Sequence, residues 1–276
     1  MLAPVQTTDH WHAALDLGFA PRHGRSVLVR RQRHGPLAVQ NVLYPEGDAA
    51  HALVLHPPGG MVGGDHLRIQ FECSAGAVAL ITTPASGKVY RSNGQTAHQQ
   101  ITCTVAADAS LEWLPPDTII FSDSDFRSVN TIRLQTGARF VGRDIVTLGR
   151  AAHGDAYAAG CFDQRLNLFL DGELLLNERL YWRAPSAFMH APWGLAGHKV
   201  CGALIAYPSD AAVVDCVRAV SAGDLVVGIS QPCGVFNLRC LGSDAGEVRD
   251  YLDRAWAALR QAVIGRAPSV PRIWRT

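Results

Sequence analysis

The sequence lacks the markers of several large protein classes. It holds no Cys-x-x-Cys pair, and its seven cysteines, Cys73, Cys103, Cys161, Cys201, Cys216, Cys233 and Cys240, are an odd number. That argues against a disulfide framework and against a structural zinc site. Cys73, Cys103 and Cys201 sit in apolar stretches, where a cysteine behaves as a small hydrophobe, so buried free thiols in a reducing compartment are expected. Long hydrophobic runs are missing: stretches such as Val200–Tyr207 fall well short of the roughly 20 residues a spanning helix needs. Met1–Asp16 has no basic segment followed by an apolar one, so no secretory leader is read there and a soluble, cytoplasmic chain is expected. An excess of one charge is absent too. Lysine plus arginine number 25 against 24 acids, a balance that recommends neither nucleic acid nor an anionic membrane as partner.

Catalytic signatures are also lacking. There is no Gly-x-Ser-x-Gly elbow, and no local pattern of Ser and His singles out a triad. Ser86-Gly-Lys88 is followed by Val89, and position 82 is Thr where a phosphate-binding loop needs Gly. His10 and His12 form a His-x-His that reads as a frayed terminus. His190 and His198 are too far apart to be read as a pair. Asp117, Asp123 and Asp125 read as a solvated loop, because the Asp-x-Asp-x-Asp-Gly order of a calcium loop is not met.

What is present is a period of two. In His66–Cys73, Leu67, Ile69, Phe71 and Cys73 alternate with His66, Arg68, Gln70 and Glu72, the pattern of a half-buried strand. Thr131–Leu134 continues it, and segments 25–32, 37–43, 52–56, 77–82, 97–105, 138–148, 165–170 and 173–182 also read as strands. Short turn-like stretches recur: Ser74–Ala77, Ala106–Ser110 and Gln135–Arg139. Their central residues, Gly76, Asp108 and Gly137, are about 30 residues apart, the spacing of a repeated supersecondary unit. Each turn joins an alternating strand to a more continuously apolar one, as in a sheet layer that is wet outside and a second that is covered. A β-solenoid and a layered sandwich both fit.

Helical spacing appears near the C-terminus. Val213, Val214, Val217 and Val220 mark one helix over about 210–220, capped by Ser209 or Asp210. Val248, Leu252, Trp256, Leu259 and Val263 mark another over about 244–264, ended by Gly265 and Pro268. Leu225–Ile229 and Val235–Leu241 return to strand patterning. No hydrophilic linker divides the chain. One mainly β domain is expected, with a β body over about 20–208 and 225–241 and the helices packed on it.

Two loops stand out. His56-Pro-Pro-Gly-Gly-Met-Val-Gly-Gly-Asp65 is stiffened by two prolines, and its four glycines permit unusual backbone angles and close approach of another segment. Thr82-Thr-Pro-Ala-Ser-Gly-Lys-Val-Tyr-Arg-Ser92 ends basic and aromatic. Tyr and Arg anchor interfaces, so Lys88, Tyr90 and Arg91 are candidate partner contacts, with Tyr90 packed and Arg91 exposed.

Together with Gly35–Gly47, Leu111–Phe121, Phe140–Arg150 and Pro268–Thr276, these loops resemble the UreD (UreH) family of urease accessory proteins. The resemblance runs to about residue 183, weakens over 184–243 and returns at the end. It implies a β-helical body with a small helical C-terminal part and no catalysis by the chain itself. It implies binding to UreF, through it to the GTPase UreG, and docking on the urease apoprotein. It also implies no tightly bound cofactor, but nickel(II) in transit through a passage. Nickel(II) accepts oxygen ligands, and weak sequential sites permit release. By motif position the resemblance places Asp65, Asp144 and Glu178 on that passage, with Lys88 and the Thr82–Ser86 loop near its wall or at a partner surface. One departure is Arg143, where the family often has Trp. The competing classes are a polysaccharide-acting enzyme on a β-helix and a plain β-sandwich binding module.

Overall fold

A computed structural model describes residues 10–150 and 153–275. Most of Met1–Asp16 and the last residue of the closing motif, Thr276, lie outside the described residues. In chain order the strands are β1 (His12–Arg22), β2 (Arg25–His34), β3 (Ala38–Val39), β4 (Ala50–Leu55), β5 (His66–Cys73), β6 (Val78–Thr82), β7 (Gly87–Val89), β8 (Ala97–Val105), β9 (Ser110–Trp113), β10 (Thr118–Ile120), β11 (Ser124–Leu134), β12 (Arg139–Leu148), β13 (Gly160–Leu170), β14 (Glu173–Ala184), β15 (Val200–Tyr207), β16 (Val226–Ser230) and β17 (Phe236–Gly242). Helix α1 (Ala211–Arg218) separates β15 from β16, and α2 (Ala245–Ile264) follows β17.

The strands form two facing sheets. The first has the order β14-β13-β11-β8-β5-β1-β2, the second β16-β17-β15-β12-β9-β6-β4-β3, with β10 and β7 attached beside β12. The chain crosses from one sheet to the other and back: β5 to β6, β8 to β9, β11 to β12. Successive strands within each sheet therefore pair in parallel. This is the solenoid alternative. Its ends are closed by antiparallel strands, β2 and β14 in the first sheet, β15 and β17 in the second.

The recurring turns are the corners of successive windings. Gly76, Asp108 and Gly137 all take positive φ, at 73°, 58° and 86°. Each corner is closed by a backbone bond, from Ala77 N to Ser74 O, Ala109 N to Ala106 O and Ala138 N to Gln135 O. Corners also bond to one another, Ser110 N to Ala77 O at 2.8 Å and Arg139 N to Ala109 O at 2.9 Å. A glycine or aspartate there tolerates the left-handed backbone each corner needs.

Alternation in the first sheet places one row inward. Phe71, Cys103 and Ile132 are in register across β5, β8 and β11, and all three are buried. The second sheet is covered on both faces, which explains its continuous apolar runs, such as the almost wholly buried β15. Its outer face carries α2, which buries Val248, Leu252, Trp256, Leu259 and Val263. Asp210 and Asp244 cap the two helices, each accepting from an amide three residues on. All seven cysteines are free; five are buried, Cys216 is half-buried and Cys233 is exposed.

Three expectations need correction. The β body begins at His12, not near residue 20, so His12 belongs to a strand paired on both sides and not to a frayed end. The 37–43 segment shortens to β3. Asp117 is buried, accepting from Ser86 Oγ at 2.5 Å and Thr147 Oγ1 at 3.0 Å, so it joins two strands instead of lying in a solvated loop.

Candidate functional site

Between the two sheets lies a cavity of about 440 Å³. Much of its wall is apolar, with Ile69, Trp113 and Phe126 among the lining residues. Polar groups enter where the inward rows of β11, β12, β13 and β17 supply Ser128, Asn130, Asp144, Gln164 and Arg239. Strand alternation sets this: in β12, Phe140, Gly142, Asp144 and Val146 share a face.

Asp144 is enclosed by protein, yet keeps water-accessible surface because it faces the cavity. Its Oδ2 accepts from Gln164 Nε2 at 2.5 Å across the gap. Burial pushes its carboxyl above the usual range, opposed by the Gln164 hydrogen bond and by Arg239. Arg239 lines the same cavity and forms an ion pair with Glu178 of the facing sheet. Desolvation by the surrounding protein lowers the Arg239 guanidinium from its ordinary value, although 45% of the side chain stays accessible at the cavity, and Asp144 acts against that shift. The Glu178 Oε1 accepts from Asn237 Nδ2 at 2.5 Å. Arg239 thus pairs with Glu178 of the facing sheet and lies within the electrostatic reach of Asp144 on its own.

Asp65 is placed differently. Its side chain is buried and does not line the cavity. Oδ1 accepts from Trp11 N at 2.9 Å, and Oδ2 from Val62 N at 2.9 Å. It therefore ties the glycine loop to β1, and that loop does contribute wall through His56, Gly60 and Met61. Two glycines there are obligatory by contact. A Cβ at Gly60 would come 2.4 Å from the Tyr90 ring. At Gly64, with φ +91°, it would come 2.3 Å from His10 Nδ1.

The remaining candidates divide. Lys88 lines the cavity. Tyr90 packs against Phe121, ring centroids 5.2 Å apart, and is partly exposed. The Arg91 side chain is 76% exposed and pairs with Asp123 at 3.3 Å. Arg143 contributes to the cavity wall, but its side chain leaves on the outer face of β12. Its guanidinium is buried against α2, donating to Asp253, to Pro115 O at 2.9 Å and to Leu114 O at 3.2 Å, and lying 4.4 Å from the Trp274 ring centroid. The departure at position 143 is therefore accommodated on the opposite face from Asp144.

Sequence reasoning missed Arg239, Asn237 and Gln164. The alternation of 235–241 puts Asn237 and Arg239 on one face, but nothing local says which carboxylate they meet. It also missed the clamp on the helix. Arg260 of α2 is fully buried between Glu112, at 2.8 Å, and Glu46, at 2.7 Å. Both acids belong to stretches that carry the family resemblance, so part of that signal is architectural.

Among the described residues no three His, Cys, Asp or Glu side chains converge to hold a metal ion. The oxygen donors come in ones and twos, a set suited to passing contacts with a hard or borderline cation. No helix among them is long and apolar enough to cross a membrane.

Comparison with known proteins agrees with the resemblance. The family model for the UreD urease accessory protein matches residues 12–275. The chain is 41% identical to the urease accessory protein UreD of Alkalilimnicola ehrlichii, covering 99% of this chain and 94% of that one. It is 40% identical to the protein of that name from Dechloromonas aromatica, over 99% and 98% of the two chains. With the one from Nostoc punctiforme it shares 36% identity over the full length of both. The solenoid, its helical cover and these relationships agree, and the chain belongs to the UreD urease accessory protein family.

Proposed function

We propose that this protein is a non-catalytic scaffold for urease maturation, through whose interior nickel(II) passes toward the apoprotein. The observation that carries the reading is Asp144: a carboxylate enclosed by protein yet facing an internal water-sized space. A carboxyl there is costly unless it meets a proton or a cation in use. Glu178 and Arg239 extend the polar stretch between the sheets. Asp65 enters this reading as the residue that fixes the glycine-loop wall, and Lys88 as part of the lining beside that loop.

The same proposal has the chain working in a cytoplasmic assembly. UreF binds it directly, UreG binds through UreF, and the urease subunits receive the ion. Tyr90 and Arg91, exposed beside the cavity-lining Lys88, are the contacts we assign to a partner. No cofactor is retained; nickel(II) is cargo.

The test is co-expression with the urease subunits and the other accessory proteins, using Asp144→Ala and Glu178→Ala variants. Urease nickel content and co-purification of the assembly are measured together. Intact assembly with depleted nickel is the expected result. Full nickel loading in both variants would remove the passage from the reading, and activation without this protein would remove the function itself.

A further inference from the structure

Arg239 is an unexpected residue in a passage for a cation, and its placement is specific. Asp144, Ala203 and Arg239 form one register row across β12, β15 and β17. Adjacent strands lie about 4.8 Å apart, so the outer two backbones are about 10 Å apart, with only a methyl group between them. From the facing sheet, Asn130, Leu166 and Glu178 form a second row across β11, β13 and β14. Glu178 pairs with the Arg239 guanidinium. The cation thus pairs with a carboxylate of the other sheet and shares a register row with one of its own.

The amides around it are incompletely used. Asn237 donates its Nδ2 to Glu178, but its Oδ1 is buried without a partner, as is Asn130 Oδ1. Buried acceptors are normally satisfied. Two carboxylates and two amide oxygens on these neighbouring rows are oxygen atoms of the kind a divalent cation accepts, and Arg239 supplies the positive charge among them. Two other charged groups on the wall are differently engaged: Asp117 is held by Ser86 and Thr147, and Arg143 turns outward to Asp253.

We infer that Arg239 is a built-in counter-cation to Glu178 in the field of Asp144, exchanged for a divalent metal ion, which keeps that oxygen site weak and reversible. The inference rests on the passage reading above and adds the group that regulates it. With Arg239 present, an incoming ion must displace a guanidinium from Glu178, and the guanidinium's return favours release. Without it, two unneutralised carboxylates would retain the ion.

The experiment uses the isolated full chain and nickel(II) alone, with affinity read by competition against a chromogenic chelator. Arg239→Met should bind nickel(II) about tenfold or more tightly than the parent, the order expected when one like charge leaves the neighbourhood of the ion. Arg239→Lys keeps the charge and should stay close to the parent. Arg239→Met combined with Glu178→Gln should lose the gain. If Arg239→Met is poorly stable, its thermal midpoint with and without nickel(II) gives the same answer, because a tighter site raises the midpoint more. Equal affinity in Arg239→Met and the parent would overturn the inference, as would tightening that survives Glu178→Gln. Neither readout involves urease. Tightening in Arg239→Met alongside full urease loading by Asp144→Ala would keep the exchange and discard the passage.

Discussion

Arg260 Nη2 stands 2.8 Å from Glu112 Oε2, with both side chains shielded from solvent. Trp256 Nε1 donates to the same carboxylate at 2.7 Å. The pair fastens α2 to the outer face of β9, so the helix is held by charge as well as by its apolar stripe. Truncating one member leaves the other buried and unpaired. Glu112→Ala should therefore cost about 3–5 kcal/mol in urea denaturation. Glu112→Gln, which retains an acceptor for Trp256, should cost less. Equal losses from the two would mean that the carboxylate charge is not what Arg260 requires.

Glu46 gives that clamp a pH dependence. Burial alone would raise its carboxyl, but hydrogen bonds from His51 and Arg260 outweigh this and hold it at about 2, against an ordinary 4.5. The folded value lies below the unfolded one. The stabilisation is thus complete above about pH 4.5 and is lost as pH falls toward 2. Its size is about 3 kcal/mol. Glu46→Gln should be less stable at neutral pH and lose less on acidification. Parallel acid profiles for the two proteins would show that another carboxylate dominates.

Asp65 and Asp144 should separate by stability. Removing the Asp65 carboxylate strands the amides of Trp11 and Val62, so Asp65→Ala should lower stability by about 1–3 kcal/mol. Asp144 is a carboxyl that burial already disfavours, so Asp144→Ala should unfold no earlier than the parent. Thermal melts of both variants decide this. An unchanged midpoint in Asp65→Ala, coupled to lost nickel delivery, would move Asp65 from the wall to the path.

The corners of the solenoid offer a local test. Gly137 has φ +86°, and a Cβ there would lie 3.1 Å from Asp108 Oδ1 of the corner beneath. Gly137→Ala should therefore lower stability by about 1 kcal/mol or more. Asp108→Gly relaxes a positive φ of 58° and should be far milder. A milder effect from Gly137→Ala would mean the corners tolerate rearrangement.

These contrasts also mark what could be read from the chain. His66–Cys73 and Ala97–Val105 are strands over the same residues their alternation predicts, because one face is wet and the other buried. The α2 spacing and its Asp244 cap were equally legible. The echo of Gly76, Asp108 and Gly137 was one winding, since corners that stack must repeat their turn chemistry. In contrast β1 was missed: Ala13, Leu15, Leu17 and Phe19 alternate, but the segment lies near the terminus and carries a Gly and a Pro. At the site, motif position named Asp65, Asp144 and Glu178, of which Asp144 lines the cavity and Asp65 does not, while Arg239 remained invisible. Its meeting with Glu178 joins two sheets, and no local period encodes a contact of that kind.

Arg143 and Asp144 are neighbours in sequence that serve opposite sides of one strand, and this yields a final prediction. Arg143 satisfies two carbonyls, the Asp253 carboxylate and the Trp274 ring, on the α2 side of the sheet. Asp253 is largely buried, and burial pushes its carboxyl up despite Arg143. Arg143→Met would leave Asp253 without its cation and two carbonyls without donors. We expect a loss of about 3 kcal/mol in stability. Asp253→Asn in the same chain should recover part of it, because the unpaired charge is then gone. Nickel(II) affinity of the folded Arg143→Met protein, measured well below its melting point, should match the parent, since alternation keeps position 143 off the Asp144 face. An altered affinity at unchanged fold would show that the outer face of β12 sets the position of Asp144, and that the packing of α2 controls the passage.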